Sequence, residues 1–157
     1  MALFGFGKKK EQAAEQKAAP AMLLKENIKV NCAAMPKEQV IEAVGKMLVD
    51  SGYVKADYVD AMKEREKTFS TCMGNCLAMP HGVEAAKKEI LHSGIAIMIF
   101  PEGVDWDGDT VKVVVGIAGV GEEHLNILAN IAGNLESMED VDKLVAGDAD
   151  YVYSVLA

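Results

Sequence analysis

"SGIAIMIFPEGVDWDGDTVKVVVGIAG", residues 93–119, decides the fold class. Two apolar runs, one at 93–100 and one at 110–119, are rich in Ile and Val and have the length of buried strands. Neither reaches membrane-spanning length. The stretch between them, "PEGVDWDGD" at 101–109, is dense in turn formers and reads as a loop.

Helices lie on either side. Upstream, "MPKEQVIEAVGKMLVDSG" puts Val40, Ile41, Val44, Met47 and Leu48 on one helical face, with Pro36 suited to the first helical position and Gly52 to the stop. "KADYVDAMKEREK" is a second helix with an apolar stripe of Tyr58, Val59 and Met62. "LLKENIKVNC", before them, suggests a short strand. Downstream, "EEHLNILANIAGNLES" is a helix with Leu125, Leu128, Ile131, Ala132 and Leu135 directed inward. Two short helices close the chain, the first capped by Ser137. Helices alternating with apolar strands predict a single α/β domain. Some connections are too short for helical crossovers, so the sheet is expected to be mixed.

The chain has 157 residues and a formal net charge of −8. A surplus of acid argues against nucleic acid as the main partner. Residues 1–21 read as a flexible leader ahead of a domain at 22–157. The leader holds four lysines and two glutamates, which leaves the remainder at net −10. Its apolar part is too short, and stands on the wrong side of the lysines, for a signal peptide. Three cysteines without a secretory signal suggest free thiols in a reducing compartment.

The chemistry concentrates in "TCMGNCLAMPHGVEAAKKEI", residues 71–90. Cys72 and Cys76 have Cys-x-x-x-Cys spacing, which is neither a thioredoxin-like redox pair nor half of a zinc site with a visible partner pair. Small buried thiols are the simpler reading. His81 stands between Pro80, which fixes the approach of the chain, and Gly82, which leaves room for a ligand. A lone histidine is most often structural, so its case depends on partners.

Arg65 is one. It is the sole arginine against fifteen lysines, and a planar fork suits an oxyanion. His124 is another, in the first turn of a predicted helix after a glycine-rich strand end, where free N–H groups favour anions. The glycines 116, 119 and 121 make no dinucleotide fingerprint, and no nucleotide-binding P-loop is present. "DWDGDT" fails as a calcium loop because its glycine is misplaced and Gly116 stands where a glutamate is needed. His92 has no evident companions. Trp106 could be an exposed contact or a loop anchor. Two histidines, an arginine and a helix start can converge on an anion, and histidine as nucleophile fits phosphoryl transfer.

Taken together and in order, "EREKTFSTCMGN", "GNCLAMPHG", "FPEGVDW" and "VVVGIAGVGEEHLNIL" resemble the mannitol-type enzyme IIA of the bacterial sugar phosphotransferase system. The resemblance covers roughly residues 22–157 and lies nearer that branch than the nitrogen-regulatory one. It implies a mixed β-sheet sandwiched between helices. It implies that His81 accepts a phosphoryl group on Nε2 from the phosphocarrier HPr and passes it to a cysteine of enzyme IIB, for uptake of a sugar alcohol such as mannitol. His124 and Arg65 are the residues it assigns to the phosphoryl oxygens, with Asn75 in support.

The chain shows no enzyme IIB or IIC segment, so the expectation is a cytoplasmic protein with only indirect membrane association. No metal or nucleotide cofactor is expected, since the donor is itself a phosphoprotein. Glu122, Glu123 and Asp105 are candidates for an acidic docking rim. Two rivals stand beside this reading. One is a regulatory module using the same phosphorylation to control a partner. The other is a metal or redox protein built on Cys72, Cys76 and His81.

Overall fold

The structure is a computed structural model and describes residues 21–157. The leader expected at 1–21 lies, except for Ala21, outside the described residues. A five-stranded mixed sheet runs in the order β1-β4-β5-β3-β2. Its members are β1 (Ile28–Lys29), β2 (Cys72–Gly74), β3 (Leu77–Ala78), β4 (Gly94–Trp106) and β5 (Asp109–Ala118). β4 and β5 pair antiparallel, whereas β1 runs parallel to β4 and β3 parallel to β5.

Helices cover both faces of the sheet. On one, α1 (Lys37–Asp50) and α2 (Tyr58–Thr68) pack against Ala96, Met98, Phe100, Val111 and Val114. On the other, α3 (Glu123–Asn134), α4 (Met138–Ala146) and α5 (Ala149–Leu156) pack against Ile95, Ile97, Ile99, Val113 and Val115. Successive strand residues point to opposite faces. Both faces are buried, which is why β4 and β5 read as unbroken apolar runs.

Several local expectations change. "PEGVDWDGD" is not a loop. β4 continues through it to Trp106, and a register shift between Ile99 and Val104 absorbs Pro101 and Gly103. Gly103 takes φ +78, and a Cβ there would stand 2.6 Å from the Thr110 methyl. The turn itself is only Asp107-Gly108, both at positive φ, as a two-residue hairpin of this twist requires.

"LLKENIKVNC" supplies just a 3-10 turn, Lys25–Asn27, and the two residues of β1. Pro36 is not the first helical residue. Its carbonyl accepts from Val40 N at 3.1 Å while its own ψ is extended, so it caps α1. Leu125 does not face inward and is 67% exposed. The buried side of α3 is the stripe of His124, Ile127 and Ile131, and Leu125 lies about 200° round the helix from Ile127.

Candidate active site

β3 runs parallel to β5, and the chain beyond it continues along β5 past the end of the formal strand. Ile117 N donates to Pro80 O at 2.9 Å, and His81 bridges to Ile117. β5 then passes through Gly119 and Gly121 into α3, whose first turn carries His124. Two parallel segments therefore finish at the same end of the sheet, and each delivers one histidine there. The rings lie edge to face with centroids 4.9 Å apart. Gly119 makes this approach possible, because a Cβ on it would fall 2.4 Å from the His124 Cα.

α2 supplies the third group. Tyr58 and Arg65 are seven residues apart, so they align on one helical face about 10 Å apart along the axis. Both line a cleft of about 400 Å³ that also holds His81, Gly82, Glu84, Lys87 and His124. Arg65 spends one guanidinium N–H on Phe69 O, at 3.0 Å, near the C-terminus of α2. Its neighbour Glu66 is buried and fully engaged. It accepts from Thr71 N at 2.9 Å, from the Thr71 hydroxyl and from Trp106 Nε1 at 2.8 Å, and it pairs with Lys37 at 3.3 Å. Trp106 is thus an anchor and not a surface contact. The network ties the end of α2, and so the base of Arg65, to the segment entering β2.

His81 Nδ1 lies 2.9 Å from Met79 O. A carbonyl can only accept, so Nδ1 carries the hydrogen and Nε2 keeps its lone pair. Burial is the main cause holding His81 below its ordinary value of 6.5. The Met79 carbonyl works upward against it, and the Arg65 charge adds to the lowering. His124 is also lowered, first by burial, then by His81 and Lys87. Both rings are therefore neutral near pH 7. Tyr58 was legible only as an apolar stripe residue. Its hydroxyl in fact donates to Ile117 O at 2.8 Å and accepts from Gly82 N at 2.9 Å. Burial pushes its pKa up to about 12. No local sequence signal marks that double role.

The structure brings His81, His124 and Arg65 together and leaves other candidates out. Asn75 does not line the cleft. It sits at positive φ in the β2–β3 turn and donates to Glu136 O at 2.6 Å. Cys72 and Cys76 are half-buried, not buried, and pack into the clusters on opposite faces of the sheet, which separates any Cys-Cys-His constellation. Asp105 pairs with Thr110 at the far end of β5, seven residues from Ile117 and so about 23 Å away, which removes it from a rim. Glu122 and Glu123 are exposed at the start of α3. His92 is exposed and lies outside the cleft lining. Phe69 lines the cleft mouth at 71% exposure, and Val120 and Leu125, next in sequence to Gly119 and His124, are also exposed. Among the described residues, no helix is long and apolar enough to cross a membrane.

Comparison with known proteins adds to this geometry. Residues 21–157 match the family model described as "Phosphoenolpyruvate-dependent sugar phosphotransferase system, EIIA 2". The mannitol-specific phosphotransferase enzyme IIA component of Bacillus subtilis is 50% identical over 130 residues, covering 82% of this chain and 91% of that protein. The crystal structure of IIA mannitol from Escherichia coli superimposes with a TM-score of 0.78 at 34% identity, covering 84% of this chain and 96% of that one. The complex of enzyme IIA and phosphorylated enzyme IIB of the mannitol system from Escherichia coli matches with a TM-score of 0.77 at 33% identity, covering 83% and 94%.

Proposed function

Because this chain belongs to the EIIA 2 family of the phosphoenolpyruvate-dependent sugar phosphotransferase system, we propose that it relays a phosphoryl group on His81, from phospho-HPr to the cysteine of an enzyme IIB. The observation that carries the proposal is the hydrogen bond from His81 Nδ1 to Met79 O, which leaves Nε2 free in a cleft shared with Arg65 and His124.

The Nε2 lone pair forms a bond to phosphorus as the bond from phosphorus to the donor nitrogen breaks, and that electron pair stays on the donor imidazole. No proton has to move. The ring of phospho-His81 keeps its Nδ1–H and gains a positive charge, which the Met79 carbonyl stabilises. In the second step a cysteine thiolate of enzyme IIB attacks phosphorus and the P–N pair returns to Nε2, restoring the neutral ring. Arg65 and a neutral, N–H-donating His124 act on the oxygens, where transfer of this kind needs positioning and charge stabilisation.

Phe69, Val120 and Leu125 form the apolar part of the docking surface for both proteins, with Glu122 and Glu123 beside it as the acidic part. The domain is assigned to 22–157 after a leader at 1–21. The protein works in the cytoplasm and reaches the membrane only through its partners. The cargo is a sugar alcohol, with mannitol favoured by the names of the relatives at about half identity.

The test supplies phosphoenolpyruvate, enzyme I and HPr to wild type and to His81→Ala, and reads intact mass. The expected result is an acid-labile phosphoryl adduct on wild type that His81→Ala lacks. A folded wild-type protein that takes no phosphoryl group from active phospho-HPr would end the relay reading.

A further inference from the structure

The cleft carries more charge than His81, His124 and Arg65 account for. Glu84 and Lys87 also line it. They belong to the 3-10 helix Glu84–Glu89. Three residues per turn place i and i+3 on the same side. Ala86 turns into the core, whereas Glu84 and Lys87 share a side and pair at 3.0 Å. An exposed pair of this kind contributes little to stability, so folding does not explain it. The charge of Lys87 nevertheless reaches the site, where it helps to lower His124 while Glu84 opposes it.

A phosphoryl group on His81 Nε2 presents three oxygens sharing close to two negative charges. Of the cations that could meet them, Arg65 already gives one N–H to Phe69 O. Lys87 is the other basic side chain lining the cleft. Its flexible stem lets the ammonium turn between acceptors as a compact point charge.

We infer that Lys87 is a second phosphoryl-holding cation of the site, paired with Glu84 in the free protein and drawn onto the phosphoryl oxygens when His81 carries the group. The inference rests on the assignment of His81 as acceptor. Glu84 is the counterweight. It releases Lys87 when the phosphoryl arrives and recaptures it when the group leaves, so phospho-His81 is not held too deeply for onward transfer.

The measurement is the equilibrium constant for phosphoryl exchange between HPr and this protein, read by intact mass of both from mixtures approached from either side. An effect on docking alone changes the forward and reverse rates together and leaves this constant where it is. Lys87→Met should shift the constant toward phospho-HPr by roughly three- to tenfold, the range between an exposed ion pair and a charge-assisted hydrogen bond. Lys87→Arg should restore most of it. Glu84→Gln should shift it the other way by roughly twofold.

Thermal melting checks that each variant is folded. A wild type that phosphorylates normally, with a constant unchanged in folded Lys87→Met, overturns the assignment of Lys87 and leaves the relay standing. A wild type that takes no phosphoryl group at all overturns both.

Discussion

Tyr58→Phe removes one oxygen atom and nothing else, yet the structure makes that atom a joint between α2, β5 and the His81 segment. In a strand the N–H and C=O of one residue point to the same side. Ile117 N already bonds Pro80 O, so Ile117 O faces that same side, where the Tyr58 hydroxyl at 2.8 Å is its donor. Gly82 N–H at 2.9 Å is the second group left without its partner. Phenylalanine keeps the ring that Gly82 packs against, where a Cβ would already stand 2.6 Å from Cε1.

A buried carbonyl stripped of its donor costs about 1–3 kcal/mol, and the half-buried Gly82 N–H costs less because water can reach it, for a total of about 2–3 kcal/mol. For a domain of this size that is a fall in Tm of about 6–12 °C. The function should suffer beyond the stability. With the hydroxyl gone, the bond from Ile117 N to Pro80 O still holds the His81 segment to β5, but Nε2 is held in line less firmly, and small misplacements of a reacting group cost about 10- to 100-fold. The assays are calorimetry and the initial rate of phosphoryl uptake from phospho-HPr, run well below the variant's Tm. A Tm within about 2 °C of wild type, or an unchanged rate, would refute the claim that this hydroxyl positions His81.

Three further outcomes are expected. Since both histidines lie below 6.5, the unfolded chain protonates first as pH falls. Their contribution to stability is therefore complete above pH 6.5 and is lost as pH drops below it toward the folded values. NMR titration of the ring carbons should give both midpoints under 6.5, and a His81 midpoint at or above that value contradicts the burial argument. Gly119→Ala sets a Cβ against His124 backbone atoms at 2.4–2.8 Å, so the start of α3 must move. Phosphoryl uptake should fall by more than about tenfold, and wild-type kinetics would show that the Gly119–His124 contact is not needed. Glu66→Ala leaves Thr71 and Trp106 without their acceptor, while Lys37 keeps Asp107, and should cost about 2–4 kcal/mol in denaturant unfolding. A loss under about 1 kcal/mol would mean the network is dispensable.

Much of the fold is legible in the chain because burial writes itself into periodicity. The runs at 93–100 and 110–119 are apolar without alternation because helices cover both faces of β4 and β5. α1 shows a single clean stripe, and four of its five expected positions are buried. In α3 the expectation fails at Leu125 alone, while Ile131 and Leu135 are buried and Leu128 packs against the core, because two apolar phases overlap. Leu125, Leu128 and Ala132 form one and Ile127, Ile131 and Leu135 the other, and periodicity alone does not choose between them. The rotation taken buries Ile127, Ile131 and Leu135 against the sheet, and the same rotation turns His124 toward His81. Pro101 and Gly103 misled in another way, since a bulge inside a long hairpin uses the same residues as a loop.

The same division holds at the site. Residue types made His81, Arg65 and His124 candidates, and the family resemblance gave them their roles. A proline–glycine frame, one arginine among fifteen lysines and a helix start are local signals, readable without knowing what lies nearby. The free nitrogen of His81 is set by a carbonyl two residues away, but the hydroxyl that ties the His81 segment to β5 and the carbonyl that draws Asn75 away from the cleft lie far off in the chain. Tyr58 and Ile117 are 59 positions apart, and Asn75 and Glu136 are 61. Hydrogen-bond partners at such separations follow from strand register and helix rotation. Those are settled only when the whole sheet closes, because a shift of one residue exchanges the two faces.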